Sequence, residues 1–144
     1  MTHTTNYQLN QWAKADRIMM DDFNADNQKI DAAIKANADA IPKIATGSYV
    51  GTGSYGANNP NTLTFDFTPK LVLLYCNSMY SRGIVALVRG EAKYVSRFGS
   101  QNCTTLHLSW TDNSVSWYSD DGANQQFNYD DGADNYRYVY VAIG

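Results

Sequence analysis

Thr104-Thr105-Leu106-His107-Leu108-Ser109-Trp110-Thr111-Asp112-Asn113-Ser114-Val115-Ser116-Trp117-Tyr118-Ser119 decides the fold class. Apolar and polar residues alternate on both sides of Asp112-Asn113, the period of two half-buried strands joined by a two-residue turn. The pattern predicts a hairpin, Thr104 to Thr111 against Ser114 to Ser119, with Trp110 facing Val115 and Leu108 facing Trp117. Leu106, Leu108, Trp110, Val115 and Trp117 then form the core face, leaving His107, Ser109, Ser116 and Tyr118 outside.

The same period extends in both directions. Leu63, Phe65 and Phe67 alternate with Thr62, Thr64, Asp66 and Thr68 until Pro69. Leu71 to Cys76 and Ile84 to Val88 are apolar on both faces, so core on one side and a cover such as a neighbouring subunit on the other are expected. Tyr94, Val95 and Phe98 suggest a short strand, as does Gln125 to Tyr129 between the Asp-Asp-Gly triplets at 120–122 and 130–132. In the last strand, Tyr136 to Ile143, Val139, Val141 and Ile143 take one face and Tyr136, Tyr138 and Tyr140 the other, which is read as outward; Gly144 is expected to be held in the sheet.

Toward the N-terminus the period changes at Thr46. Thr46-Gly47-Ser48-Tyr49-Val50-Gly51 and Thr52-Gly53-Ser54-Tyr55-Gly56-Ala57 form a local duplication, a strand running into a glycine-rich loop closed by Asn58-Asn59-Pro60-Asn61. Before it, Met20, Phe23, Asn27, Ile30, Ile34, Asn37 and Ile41 step by three and four, an imperfect heptad seam. Such a seam serves either a trimerisation stem or one amphipathic helix docked on its own sheet. Ile at both a and d tilts it toward three strands. Asp16 is expected to open this helix and Pro42 to end it at Ile41, with Asp31 and Lys35 as an i to i+4 pair. Thr4, Thr5 and Asn6 suggest a cap for a short helix beginning near Leu9. The expected organisation is a helical stem over 1–43 and a β-domain over 44–144, an antiparallel β-sandwich preceded by a short coiled coil.

Composition narrows the function classes. Charged residues are 17% and eleven of nineteen aromatics are Tyr, which favours strands and contact surfaces over a helical bundle. A net charge of −3 with scattered Lys and Arg argues against a nucleic-acid partner. The longest apolar runs are strand-sized and no signal-peptide pattern opens the chain, so no membrane insertion is expected. Cys76 and Cys103 lack metal or redox spacing and are read as reduced and buried, a disulfide being the minor alternative. His3 and His107 are too far apart in sequence to suggest a metal site.

Candidate sites follow from residue type. Tyr136, Tyr138 and Tyr140 suit a subunit interface or, as the alternative, sugar stacking. Tyr49, Tyr55 and Tyr118, in or near polar turns, are the recognition candidates, together with the loop from Asp120 to Asp134 and Asp130 within it. Asp120, Asp121, Asp130, Asp131 and Asp134 are explained by Asp-Gly turns or by a calcium site, and turns are simpler because the spacing is not that of an EF-hand. No metal and no cofactor is expected. No nucleophile elbow, phosphate loop or metal motif is present, so the chain is not expected to be an enzyme.

Tyr7-Gln8-Leu9-Asn10-Gln11-Trp12, Asp16-Arg17 and Asp22-Phe23-Asn24-Ala25-Asp26-Asn27 with Ile30-Asp31-Ala32 resemble the N-terminal segment of tail fibre and receptor-binding proteins of phages and prophages of Gram-positive bacteria. Thr46 to Gly51, Thr62 to Val72 and Tyr138 to Gly144 are similar to the C-terminal β-domains of those proteins. The resemblance implies a homotrimer made in the bacterial cytoplasm and carried on the virion. Its N-terminal segment would join other phage tail or virion proteins, and its head would attach to host cell-surface glycan or protein. Trimeric H-type lectins are a looser fold analogy. A purely architectural subunit and a polysaccharide depolymerase are the competing expectations.

Overall fold

The computed structural model describes residues 1–76, 83–98, 102–130, 132 and 136–144, with backbone alone at 96–98 and 102–103. These residues form two compact units, Met1–Pro42 and Lys43–Gly144. The chain is mainly β, with antiparallel sheets and one helix.

In the first unit, β1 (Thr2–His3) pairs with β2 (Asn10–Gln11) and α1 spans Met20–Ala40. The helix expected near Leu9 is absent, because Thr4 Oγ1 accepts the Leu9 N–H at 3.0 Å and folds the segment back as a turn. Asp16 does not open α1 either. Its carboxylate takes the Ala13 N–H at 2.8 Å and the N-terminal ammonium at 3.1 Å, and those bonds, the backbone one foremost, hold its pKa below the usual value. Met19 stands at the N-cap without a side-chain cap, and Ile41 turns extended before Pro42. Lys35 pairs forward with Asp39 at 2.8 Å and not back with Asp31. One side of α1 meets β2: Asp26 Oδ2 accepts the Asn10 N–H at 2.8 Å, and Asn10 Nδ2 donates to Asp22 O at 3.2 Å. Met20, Phe23, Asn27, Ile30, Ile34, Asn37 and Ile41 are all exposed, and no residue of α1 is buried.

The second unit holds β3 (Ile44–Val50), β4 (Asn61–Thr64), β5 (Leu71–Cys76), β6 (Ile84–Val88), β7 (Lys93–Phe98), β8 (Asn102–Trp110), β9 (Ser114–Tyr118) and β10 (Arg137–Ile143). They form two four-stranded sheets, ordered β3-β10-β5-β6 and β4-β9-β8-β7. The β8–β9 hairpin has the expected register, Leu108 opposite Trp117 and Trp110 opposite Val115, and Thr111 N–H donates to Ser114 O at 3.1 Å across the Asp112-Asn113 turn. One apolar cluster draws on both sheets, with Val72, Leu74, Val85, Leu87 and Ala142 from the first and Leu106, Val115 and Trp117 from the second. Phe65 and Phe67 enter it after β4, which stops at Thr64, short of the expected Thr68, and Pro69 is fully buried just beyond.

Three further expectations are corrected. The tyrosine face of β10 points inward: Tyr136 and Tyr138 are buried at 6% and 3% exposure and Tyr140 packs against the cluster, so their expected outward role as an oligomer interface fails. The face reverses because these tyrosines satisfy their polar ends inside. Tyr138 OH accepts the Tyr129 N–H at 2.9 Å and its ring stacks on Tyr49 at 5.1 Å. Tyr140 lies over Gly47, its partner in register, where a side chain would collide with the ring. Val139 and Val141 therefore face out. Second, Gln125 to Tyr129 is not a strand; residues 123–127 form a turn, with Asn128 N–H donating to Ala123 O at 2.8 Å. Third, Tyr49 is half-buried on β3 with its hydroxyl bonded to Phe127 O, and not exposed in a polar turn. Cys76 is buried on β5, while the Cys103 side chain lies outside the described residues.

Candidate functional site

The feature that organises one end of the second unit is the turn at 123–129. Phe127 adopts φ 61°, a left-handed conformation that a bulky side chain seldom takes, and it is held there by burial at 4% exposure. On either side stand two buried amides, Gln126 and Asn128. Gln126 Nε2 donates to Asn59 O at 2.7 Å and to Asn61 Oδ1 at 2.8 Å, while its Oε1 accepts from Gly56 N at 2.9 Å and Ser119 N at 3.0 Å. Both amide hydrogens and both lone pairs of the oxygen are thus used. Asn128 Nδ2 donates to Thr52 Oγ1 and Ser54 O, each at 2.8 Å, and its Oδ1 accepts the Thr52 N–H at 3.1 Å. Among the described residues no buried side-chain polar atom lacks a partner. The glycine-rich loop is thereby pinned through its backbone to the 123–129 turn.

Between these segments lies a cleft of about 390 Å³, lined by Thr52, Ser54, Asn59, Asn61, Thr62 and Asn128, with Val50, Pro60 and Leu63 as apolar wall and Tyr49 and Trp117 beneath. Its aromatic floor is fixed by hydrogen bonds. Tyr49 OH donates to Phe127 O at 2.7 Å and Trp117 Nε1 donates to Gln126 O at 2.8 Å. Burial pushes the Tyr49 phenol well above its ordinary pKa, and the neighbouring Tyr138 adds to the shift. Burial likewise raises Tyr138. The lining has amides, hydroxyls and aromatic rings and no Asp, Glu, Lys, Arg or His. Such a surface can exchange hydrogen bonds with an uncharged polyhydroxylated ligand and exclude water from its apolar side.

The residues singled out from the sequence fall in several places. Tyr49 lies under the cleft. Tyr55 is half exposed on the loop that forms the cleft rim, its carbonyl accepting from Asn59 Nδ2 at 3.4 Å. Tyr118 belongs to the outer side of β9, where it stacks on His107 at 4.6 Å, and Asp120 Oδ2 is 3.3 Å from His107 Nε2. Asp130 folds onto its own turn, accepting the Gly132 N–H at 2.9 Å. Asp131 and Asp134 lie outside the described residues, and among those described no three His, Cys, Asp or Glu side chains converge. The sequence reading missed Thr52, Asn59, Asn61 and Asn128. Their only sequence signal was an amide-rich loop, which is also what any turn looks like. No protein-family model, curated protein or solved structure matches the chain.

Proposed function

We propose that this chain is a phage or prophage virion subunit, a homotrimeric tail fibre or receptor-binding protein that attaches the particle to glycans of the host cell surface. In this reading the two sheets of the second unit stack as an antiparallel β-sandwich head, and α1 is a short coiled-coil stem. The observation that carries it is the cleft lined by uncharged amides and hydroxyls and clamped by Gln126 and Asn128. A site whose donors are already held in place loses little ordering entropy on binding, which suits weak ligands such as single sugars. Three copies would then gain avidity by effective concentration. The exposed seam of α1 supports the stem, since a lone helix with its apolar stripe in water is marginal. The similarity of Tyr7 to Ala32 to the mounting segment of such fibres supports a virion location.

A purely architectural role is the second reading, favoured by the burial of the β10 tyrosines that were candidates for ligand contact. Host-cell adsorption and wall-polysaccharide binding separate the two. The full chain is expected to bind host cells, and Asn59→Ala with Tyr55→Ala to weaken that binding about tenfold or more without changing the melting temperature. Absence of binding by the assembled wild-type protein would sink the receptor reading. Shortened polysaccharide after incubation would instead favour a depolymerase.

A further inference from the structure

The two sheets of the second unit differ in what they show to solvent. On the β4-β9-β8-β7 sheet the described outward positions are polar except Val95, with Thr62 and Ser116 hydroxyls bonded at 2.8 Å across strands and His107 beside Asp120. On the β3-β10-β5-β6 sheet they are mostly apolar, the described exceptions being Thr46 and Ser48 on β3 and Arg137 on β10. Ile44 and Ile84 are 64% and 63% exposed, and Val50, Tyr75, Val88 and Val141 are exposed with them. Arg137 is the one charged residue among the described outward positions of this sheet, and its guanidinium donates to Ser48 at 3.2 Å on the same face. Ordinary monomers do not leave a contiguous apolar face of this kind in water. Four strands about 4.8 Å apart and up to seven residues long give a footprint of roughly 20 by 24 Å. With side-chain relief that is on the order of 600–800 Å², close to what one partner commits to a standard stable interface.

We infer that this face is the contact between copies of the chain, with three such faces closed around a threefold axis. Width and charge both point there. Three faces about 20 Å wide, arranged as a triangle, place each backbone roughly 6 Å from the axis, near the 5 Å half-spacing of face-to-face sheets, so the side-chain layers fill the centre without a void. A face with a single peripheral cation meets its own copies without charge mismatch, whereas an anionic lipid surface attracts clusters of Lys and Arg. The assignment rests on the trimeric reading above and adds the surface that seals the heads, separate from the seam on α1.

The test is solution mass of the full chain near micromolar concentration, by light scattering or sedimentation. Wild type is compared with the face variant Ile84→Asp/Val141→Asp, its milder form Ile84→Thr/Val141→Thr, and the seam variant Ile30→Asp/Ile34→Asp. Wild type is expected at three times 16.1 kDa. The face variants are expected to dissociate at least tenfold more readily while keeping the wild-type strand signal in circular dichroism. Should the Asp form lose that signal, the Thr form decides by the same criterion. Face variants that stay trimeric while the seam variant falls apart would overturn this inference and leave the trimer standing. A monomeric or dimeric wild type would overturn both.

Discussion

Gln126 is the residue on which most of the candidate site depends. Its four bonds reach Asn59, Asn61, Gly56 and Ser119, so truncation leaves several buried or half-buried groups without partners at once. Gln126→Ala is expected to cost about 2–4 kcal/mol in chemical denaturation, and to weaken any cleft ligand as well. Tyr49 and Tyr138 make a second residue-scale prediction. Both phenols are raised above the ordinary value of 10.0 by burial, so the unfolded chain ionises first as pH rises. Their contribution is complete below about pH 10 and is lost progressively above it. Tyr49→Phe is expected to flatten that alkaline loss in urea titrations between pH 10 and 12. At pH 7 the same variant is expected to cost about 0.5–1.5 kcal/mol for the lost bond to Phe127 O. None of this was legible in Gln125-Gln126-Phe127-Asn128, which reads equally well as an exposed turn or a short strand. Burial of an amide is decided by partners 65 to 76 positions away in the chain.

At the scale of elements, the β8–β9 hairpin was readable because a two-residue turn fixes register and alternation fixes the face. The last strand was readable as a strand but not in orientation. Both its faces are apolar or amphipathic, and only the internal partners of the Tyr138 hydroxyl and ring turn the tyrosines inward. The N-terminal segment was misread for a related reason. Thr4 and Asp16 are good helix caps, yet each is occupied by a nearby backbone amide that bends the chain. A prediction attaches to the element this leaves, the small β1–β2 ribbon against α1. Asp26→Ala removes the acceptor of the Asn10 N–H, and amide exchange at Asn10 is expected to rise about tenfold while the helix signal of α1 stays the same. Unchanged exchange would mean that the ribbon is held elsewhere.

For the whole molecule, the sequence marked a change from helical to strand periodicity at Thr46, and the boundary of the two compact units falls along the chain between Pro42 and Lys43. The mainly β character with one helix was likewise legible, since period and turn chemistry are local properties. The cleft was not, because it is assembled from β3, β4, β9 and two loops that no local pattern links. The trimeric reading predicts a difference between solution and surface. On a dense glycan surface, the assembled wild type should dissociate about 10²-fold or more slowly than the same protein dissociated by the Ile84→Asp/Val141→Asp face variant. Equal residence times would show that the copies do not act together.

The clamp on the glycine-rich loop grips mainly main-chain atoms: Asn59 O, Ser54 O, Gly56 N and Thr52 N. The exposed side chains of Tyr55, Asn59 and Thr62 are therefore not what keeps the loop in place. They can be exchanged one at a time at little cost to folding, so under the receptor-binding proposal the rim is where preference for one surface sugar over another would drift by single substitutions. Gln126 and Asn128 cannot drift in the same way, and neither can Gly51, where any side chain would land on the backbone of Asn128 and Tyr129. Under that proposal, a lineage changing hosts would vary the rim and keep the clamp.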